Sequence, residues 1–188
     1  MPPKLKFSKE EVLKTAFQLV KEKGIENLNA RNIAKMLHSS TQPVFSCYEN
    51  MADLKADLFV MVSEYHARCF DKVETGKNLF LNVGLAYIDF AIEEPNLFRM
   101  LFMSNSFIGK GIFEFTAGGC NDHITNAIPD ILKQNSKEAN RIFTDMWLYA
   151  HGIASMAVMN QLDLERSEIE SMIKNMFSLL TGKYRRKK

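Results

Sequence analysis

Little in this 188-residue chain could staple it, stretch it or carry it through a membrane. Its three cysteines, Cys47, Cys69 and Cys120, make an odd count with no CxxC pair. That excludes a disulfide scaffold and a thiolate zinc site, and suits a reducing compartment. Nine glycines and five prolines are too few for a collagen-like or low-complexity chain. The most apolar stretch, residues 80–92, is interrupted by Asn82 and Asp89 and falls short of the ~20 residues that span a bilayer. Residues 1–8 lack the apolar core of a secretory leader. A cytoplasmic protein with no membrane partner is expected. What is present, 46% hydrophobic and 24% charged residues, is the balance of a globular protein able to bury a core. At a prior of ~150 residues per domain, one domain or two small ones fit.

The net charge is only +2, yet it is unevenly placed. Residues 1–48 hold eight Lys or Arg against four Glu, and Lys183, Arg185, Arg186, Lys187 and Lys188 form a basic tail. The body between them is therefore acidic. Such asymmetry points to a polyanion-facing end, although a charge run is more often a solvated face.

Apolar spacing is helical almost throughout. Ser8 and Glu11 form a capping box ahead of Val12, Leu13, Ala16, Leu19 and Val20, and Gly24 offers a stop. Asn29 caps a short second helix through Leu37, with Ile33, Met36 and Leu37 facing inward. His38-Ser39-Ser40 breaks it, and a third short helix begins near Thr41 with Pro43 in its first turn. Val44 and Tyr48 share one face. A fourth helix opens at Asn50, with Asp53 in the capping position, and runs toward Val73. Helices are then expected over 76–94, 95–103, 122–134, 137–162 and 167–181, with a loop over 104–119. No strand pattern of convincing length appears, so the expected fold class is all-α.

A short helix, a break of three or four residues and another short helix make a helix-turn-helix, whose second helix fits the major groove. Its outer face should be small and polar, and Ser39, Ser40, Thr41, Gln42 and Ser46 meet that need. Gln42 can bond an adenine edge through two hydrogen bonds.

The run from Ser8 to Leu58 resembles the DNA-binding domain of the TetR (tetracycline repressor) family, through Ile33-Ala34, Gln42-Pro43-Val44-Phe45, Tyr48 and Leu54. A second resemblance, to the regulatory domain named for a Trp-His-Gly signature, covers residues 87–102 and Trp147, His151 and Gly152. The resemblance implies a homodimeric transcriptional regulator, usually a repressor, gripping a pseudo-palindromic double-stranded operator and answering a small molecule. It implies an N-terminal three-helix helix-turn-helix domain over 1–52 and a helical regulatory, effector-binding and dimerisation domain over 53–188. Arg31 occupies a base-reaching position of the second helix; Thr41, Gln42, Phe45 and Ser46 lie on the recognition helix, and Cys47 where a backbone-touching aromatic or His is common. Asn29 and Ala30 stand at the second helix's N-terminus, whose dipole favours a phosphate. The chain departs from the family at His38 (usually Gly), Phe45 (usually Tyr) and Met51 (usually Lys), which shifts phosphate binding toward Lys4, Lys6, Lys35 and Lys55.

Phe98, Met100, Phe102, Met103 and Phe107, with Trp147 and His151, are candidates to line a pocket for an apolar or aromatic effector, with plain core packing as the alternative. Gly152 suggests close helix–helix approach. Ile169, Met172, Ile173, Met176, Phe177 and Leu180 form a stripe on the last helix that needs a partner, and a bundle with a second copy supplies one. His66 and Cys69 have no third ligand at a sensible spacing, so neither metal nor cofactor is expected. The adjacent Glu93 and Glu94 look solvated, no nucleophile or phosphate-loop motif occurs, and an enzyme is not expected. The competing reading is a helical small-molecule-binding protein whose helix-turn-helix no longer reads DNA.

Overall fold

Helix α1 (Lys9–Lys23) starts where Ser8 places its hydroxyl on the Glu11 amide and Glu11 returns its carboxylate to the Ser8 amide, 2.7 Å away. In this computed structural model, which describes residues 7–74, 76, 78–104 and 136–185, that box is the first of several local start signals. Gly24 ends α1 at φ +85°, a value that L side chains avoid, and a short 3-10 turn (Ile25–Asn27) follows. Asn29 then caps α2 (Ala30–Met36) through the Asn32 amide at 2.9 Å.

The end of α2 is set by backbone geometry. His38 sits at φ +49°, its N–H reaches the Lys35 carbonyl, and the Ser39 N–H reaches back to Ala34. These are the paired bonds of a Schellman stop, with His in the place that glycine usually takes. Asn160 repeats the arrangement at φ +54°, bonding Ala157 while Gln161 bonds Met156.

Helix α3 (Gln42–Cys47) is followed by α4 (Met51–Arg68), α5 (Leu79–Glu93), α6 (Pro95–Phe102), α7 (Ser136–Val158) and α8 (Arg166–Arg185). Among the described residues every regular element is helical, as the sequence predicts. None of these helices is long and apolar enough to cross a membrane.

Several details differ from expectation. Asn50, rather than Asp53, caps α4: its Oδ1 accepts the Ala52 and Asp53 amides at 2.8 and 3.0 Å, and its Nδ2 donates to the Asp53 carboxylate. Helix α4 stops at Arg68, short of Val73. Helix α7 ends at the Asn160 stop rather than at 162, because the left-handed residue redirects the chain. On α2 the buried partner of Ile33 is Ala34, while Met36 and Leu37 remain half-exposed. The expected loop over 104–119 and helix over 122–134 lie outside the described residues, apart from Ser104 itself.

The chain divides into two units, residues 1–65 with 94–106, and residues 66–93 with 107–188. In the first, α1 packs against α2, α3 and α6 around Val12, Ala16, Leu19, Ile33, Val44, Leu54 and Leu97. Helix α6 is tied to α1 by the Asn96 amide on the Lys21 carbonyl at 3.0 Å and by a cluster of Lys21, Tyr65 and Glu94. Glu94 is thus not solvated as expected: its carboxylate pairs with Lys21 and accepts the Tyr65 hydroxyl at 2.8 Å. That carboxylate raises the pKa of both partners, Lys21 and Tyr65.

In the second unit α5 packs mainly against α7, with α8 on both. The close approach expected at Gly152 occurs instead at Gly84, where an added Cβ would meet the Ile173 side chain at 3.1 Å; at Gly152 nothing described lies within 4 Å. Asp89 takes a two-pronged ion pair from Arg166 across the α5–α8 contact.

Candidate nucleic-acid interface

Burial divides α3 cleanly into two faces. Val44 is fully buried and Tyr48, one turn on, is nearly so, which fixes the inner side against α1 and α2. Burial, then the neighbouring Asp57 charge, pushes the Tyr48 phenol up to about 12, so this residue stays neutral in the core. Lys9 closes over its ring at 4.8 Å and also pairs with Asp57 at 2.7 Å. With the inner side anchored, helical geometry turns Gln42, Phe45 and Ser46 outward, and all three are exposed.

The other expected contact residues fall at different places. Ser40, Arg31 and Lys55 are exposed, and Thr41 is half-buried. The Ser46 hydroxyl donates to the Gln42 carbonyl at 2.9 Å, which leaves it an acceptor on its outer side. Asn29 is exposed but occupied: its Oδ1 caps α2 and its Nδ2 donates to the Asn27 carbonyl at 3.2 Å. Ala30 is buried, so only its backbone amide is left to offer a phosphate. Cys47 is half-buried and its thiol points at the Phe7 carbonyl, 3.8 Å away, toward the chain entering α1. Lys4 and Lys6 lie outside the described residues.

The candidate pocket residues fall in both units. Phe98, Met100, Phe102 and Met103 belong to the first unit, whereas Trp147 and His151 belong to the second. Phe98 and Met100 are fully buried core, with Phe102 packed on Phe98 at 4.9 Å; Met103 is exposed, and Phe107 lies outside the described residues. In the second unit Trp147 and His151 stack, 4.7 Å apart and 8° from parallel. The Tyr87 hydroxyl meets His151 Nδ1 at 2.9 Å, and Ser155 Oγ lies 3.4 Å from Nε2. Burial lowers the His151 pKa and so favours the neutral ring. Sequence spacing could place His151 beside Trp147 but had no means of finding Tyr87, 64 residues earlier.

Its spacing from Cys69 offers His66 only as an incomplete metal ligand. It is buried, with Phe70, Tyr87 and Phe90 edge-on around its imidazole at 5.1, 5.9 and 4.7 Å, and desolvation holds its pKa down to about 4. The last-helix stripe also divides. Ile169 and Ile173 are buried within the chain, Ile173 against Gly84, and so are not free to meet another copy. Met172, Met176, Phe177 and Leu180 are half-exposed, and Leu179, beside them, is exposed.

At the level of sequence, no family model and no curated protein matches the chain significantly. Solved structures do match its fold. A TetR family protein from Vibrio parahaemolyticus superposes with a TM-score of 0.63 at 12% identity, over 90% of this chain and 96% of that one. A TetR family member from Streptomyces coelicolor A3 gives 0.59 at 11% identity, over 93% and 98%. A helix-turn-helix unit followed by a second helical unit, matched over nearly the whole length of both chains, is the fold of TetR-family transcriptional regulators.

Proposed function

We propose that this protein is a homodimeric DNA-binding transcriptional regulator, a repressor that releases its operator when a small apolar or aromatic molecule binds. The observation that carries this reading is α3: a six-residue helix whose buried side spends Val44 on the core and whose outer side presents Gln42, Phe45 and Ser46. A major groove about 12 Å wide admits one such helix, and Gln42 has the amide geometry to pair with adenine N6 and N7. Arg31, Lys35 and Lys55 are exposed cations available for phosphates.

Two chains per operator are supported by the half-exposed Met172, Met176, Phe177 and Leu180 and by exposed Leu179 on α8, with Leu148 and Met156 exposed on α7. An apolar stripe of this kind on a surface helix marks a partner site. Trp147, His151 and Tyr87 support the effector: a flat stacked pair with a hydroxyl beside it suits an aromatic guest. Helix α4 begins in the first unit and ends in the second, so the chain itself links the effector unit to the helix-turn-helix. A coupling of ~1–3 kcal/mol would release DNA 5- to 150-fold.

Selection of random duplex DNA on the purified protein tests this. The expected product is an inverted repeat bound by two chains, with half-sites about one helical turn or a multiple apart. Its affinity should fall ~10³–10⁵-fold between 50 and 200 mM salt for about 6–10 phosphate contacts. Failure to enrich any duplex counts against the proposal.

A further inference from the structure

Phe45 stands out on the helix-turn-helix surface. Among the described residues 7–57 it is the one large apolar side chain that is exposed, at 52%. Its neighbours in the chain do the folding work: Val44 fills the core and Tyr48, just past the end of α3, closes it. A half-exposed phenyl ring on a six-residue helix adds little to that core, and its flanking residues Gln42 and Ser46 are polar.

The edges of base pairs in the major groove carry donors and acceptors and a single kind of apolar group, the C5 methyl of thymine. Gln42 lies three residues before Phe45 on the same face, a rise of ~4.5 Å along the helix. Base pairs stack ~3.4 Å apart. If Gln42 pairs with an adenine, Phe45 therefore reaches the neighbouring base pair. Ser46 gives its proton to the Gln42 carbonyl at 2.9 Å and can only accept from a base, which leaves Phe45 as the exposed large apolar side chain that this face offers to a methyl group.

We infer that Phe45 reads thymine through its methyl group, so each half-site requires a thymine one base pair from the adenine that Gln42 contacts. This rests on the reading of α3 as a DNA-reading helix. On the duplex enriched from a random pool, each thymine is replaced in turn by deoxyuridine, which keeps the pairing and removes only the methyl. For the wild-type chain one thymine per half-site should show about fourfold weaker binding on replacement, the worth of one buried methyl. Phe45→Ala should bind the thymine duplex more weakly and be indifferent to uridine at that position, while Gln42→Ala keeps the uridine sensitivity. An unchanged melting temperature shows that Phe45→Ala is folded. If no thymine is sensitive, or the sensitivity survives in Phe45→Ala, the inference is overturned. If no duplex is enriched at all, it is the regulator reading that fails, and this inference with it.

Discussion

In the first unit, Ser8 with Glu11, Asn29 with Asn32, and Asn50 with Asp53 decide where three helices begin, each across three residues of chain. In the second unit the defining contacts are distant: Tyr87 with His151, Asp89 with Arg166, and Phe80 stacked on Phe177 at 4.7 Å. The helix-turn-helix is therefore specified locally and can present any outer face on α3 without losing its frame. The second unit acquires its arrangement only when α5, α7 and α8 meet, so its interior is committed to aromatic and histidine contacts. Helix α6 breaks the pattern, because it belongs to the first unit yet arrives from late in the chain.

The largest effect should come from that exception. Phe98→Ala empties a fully buried site on α6 and should cost about 3–5 kcal/mol. Hydrogen exchange should rise first in α1, which packs on α6, and later or not at all in α7. Early loosening of α7 instead would return α6 to the second unit.

His66 should give the next largest effect. Its native pKa lies near 4, against about 6.5 when unfolded, so between those values the unfolded chain binds the extra proton. Stability is therefore full above pH 6.5 and declines as the pH falls toward 4, by up to about 3 kcal/mol from this group. His151, also lowered by burial, adds a decline of the same sign. Denaturant unfolding of wild-type and His66→Leu chains across this range should show a flatter pH profile in the variant, and parallel profiles would contradict the assignment.

The local contacts should matter least. Asn50→Ala removes the α4 cap and should cost about 1 kcal/mol by thermal unfolding. A loss as large as that at Phe98 would erase the distinction between local and distant specification.

The same distinction explains what could be read from the residues alone. The capping box at Ser8, the cap at Asn29, the break at His38 and the two-faced α3 are all written within four or five positions, and all were legible. Asn50 and Asp53 are both good capping types, and only the backbone decides which side-chain oxygen faces the free amides. Glu94 looks solvated in the sequence because its partners Lys21 and Tyr65 lie 73 and 29 residues away. Ile169 and Ile173 share a stripe with Met172 and Met176, and nothing local says that Gly84 clears space for Ile173. Phe98, Met100 and Trp147 share an apolar, aromatic character that carries no sign of the two units among which the fold divides them.

The proposed reading of DNA by the outer face of α3 is tested most directly by Gln42→Ala. Affinity is measured for the enriched duplex and for a scrambled duplex of the same length and salt. Binding to the enriched duplex should weaken by about 1–3 kcal/mol, with no change on the scrambled one and an intact dimer. Equal affinity of wild type and variant for the enriched duplex would remove α3 from the readout.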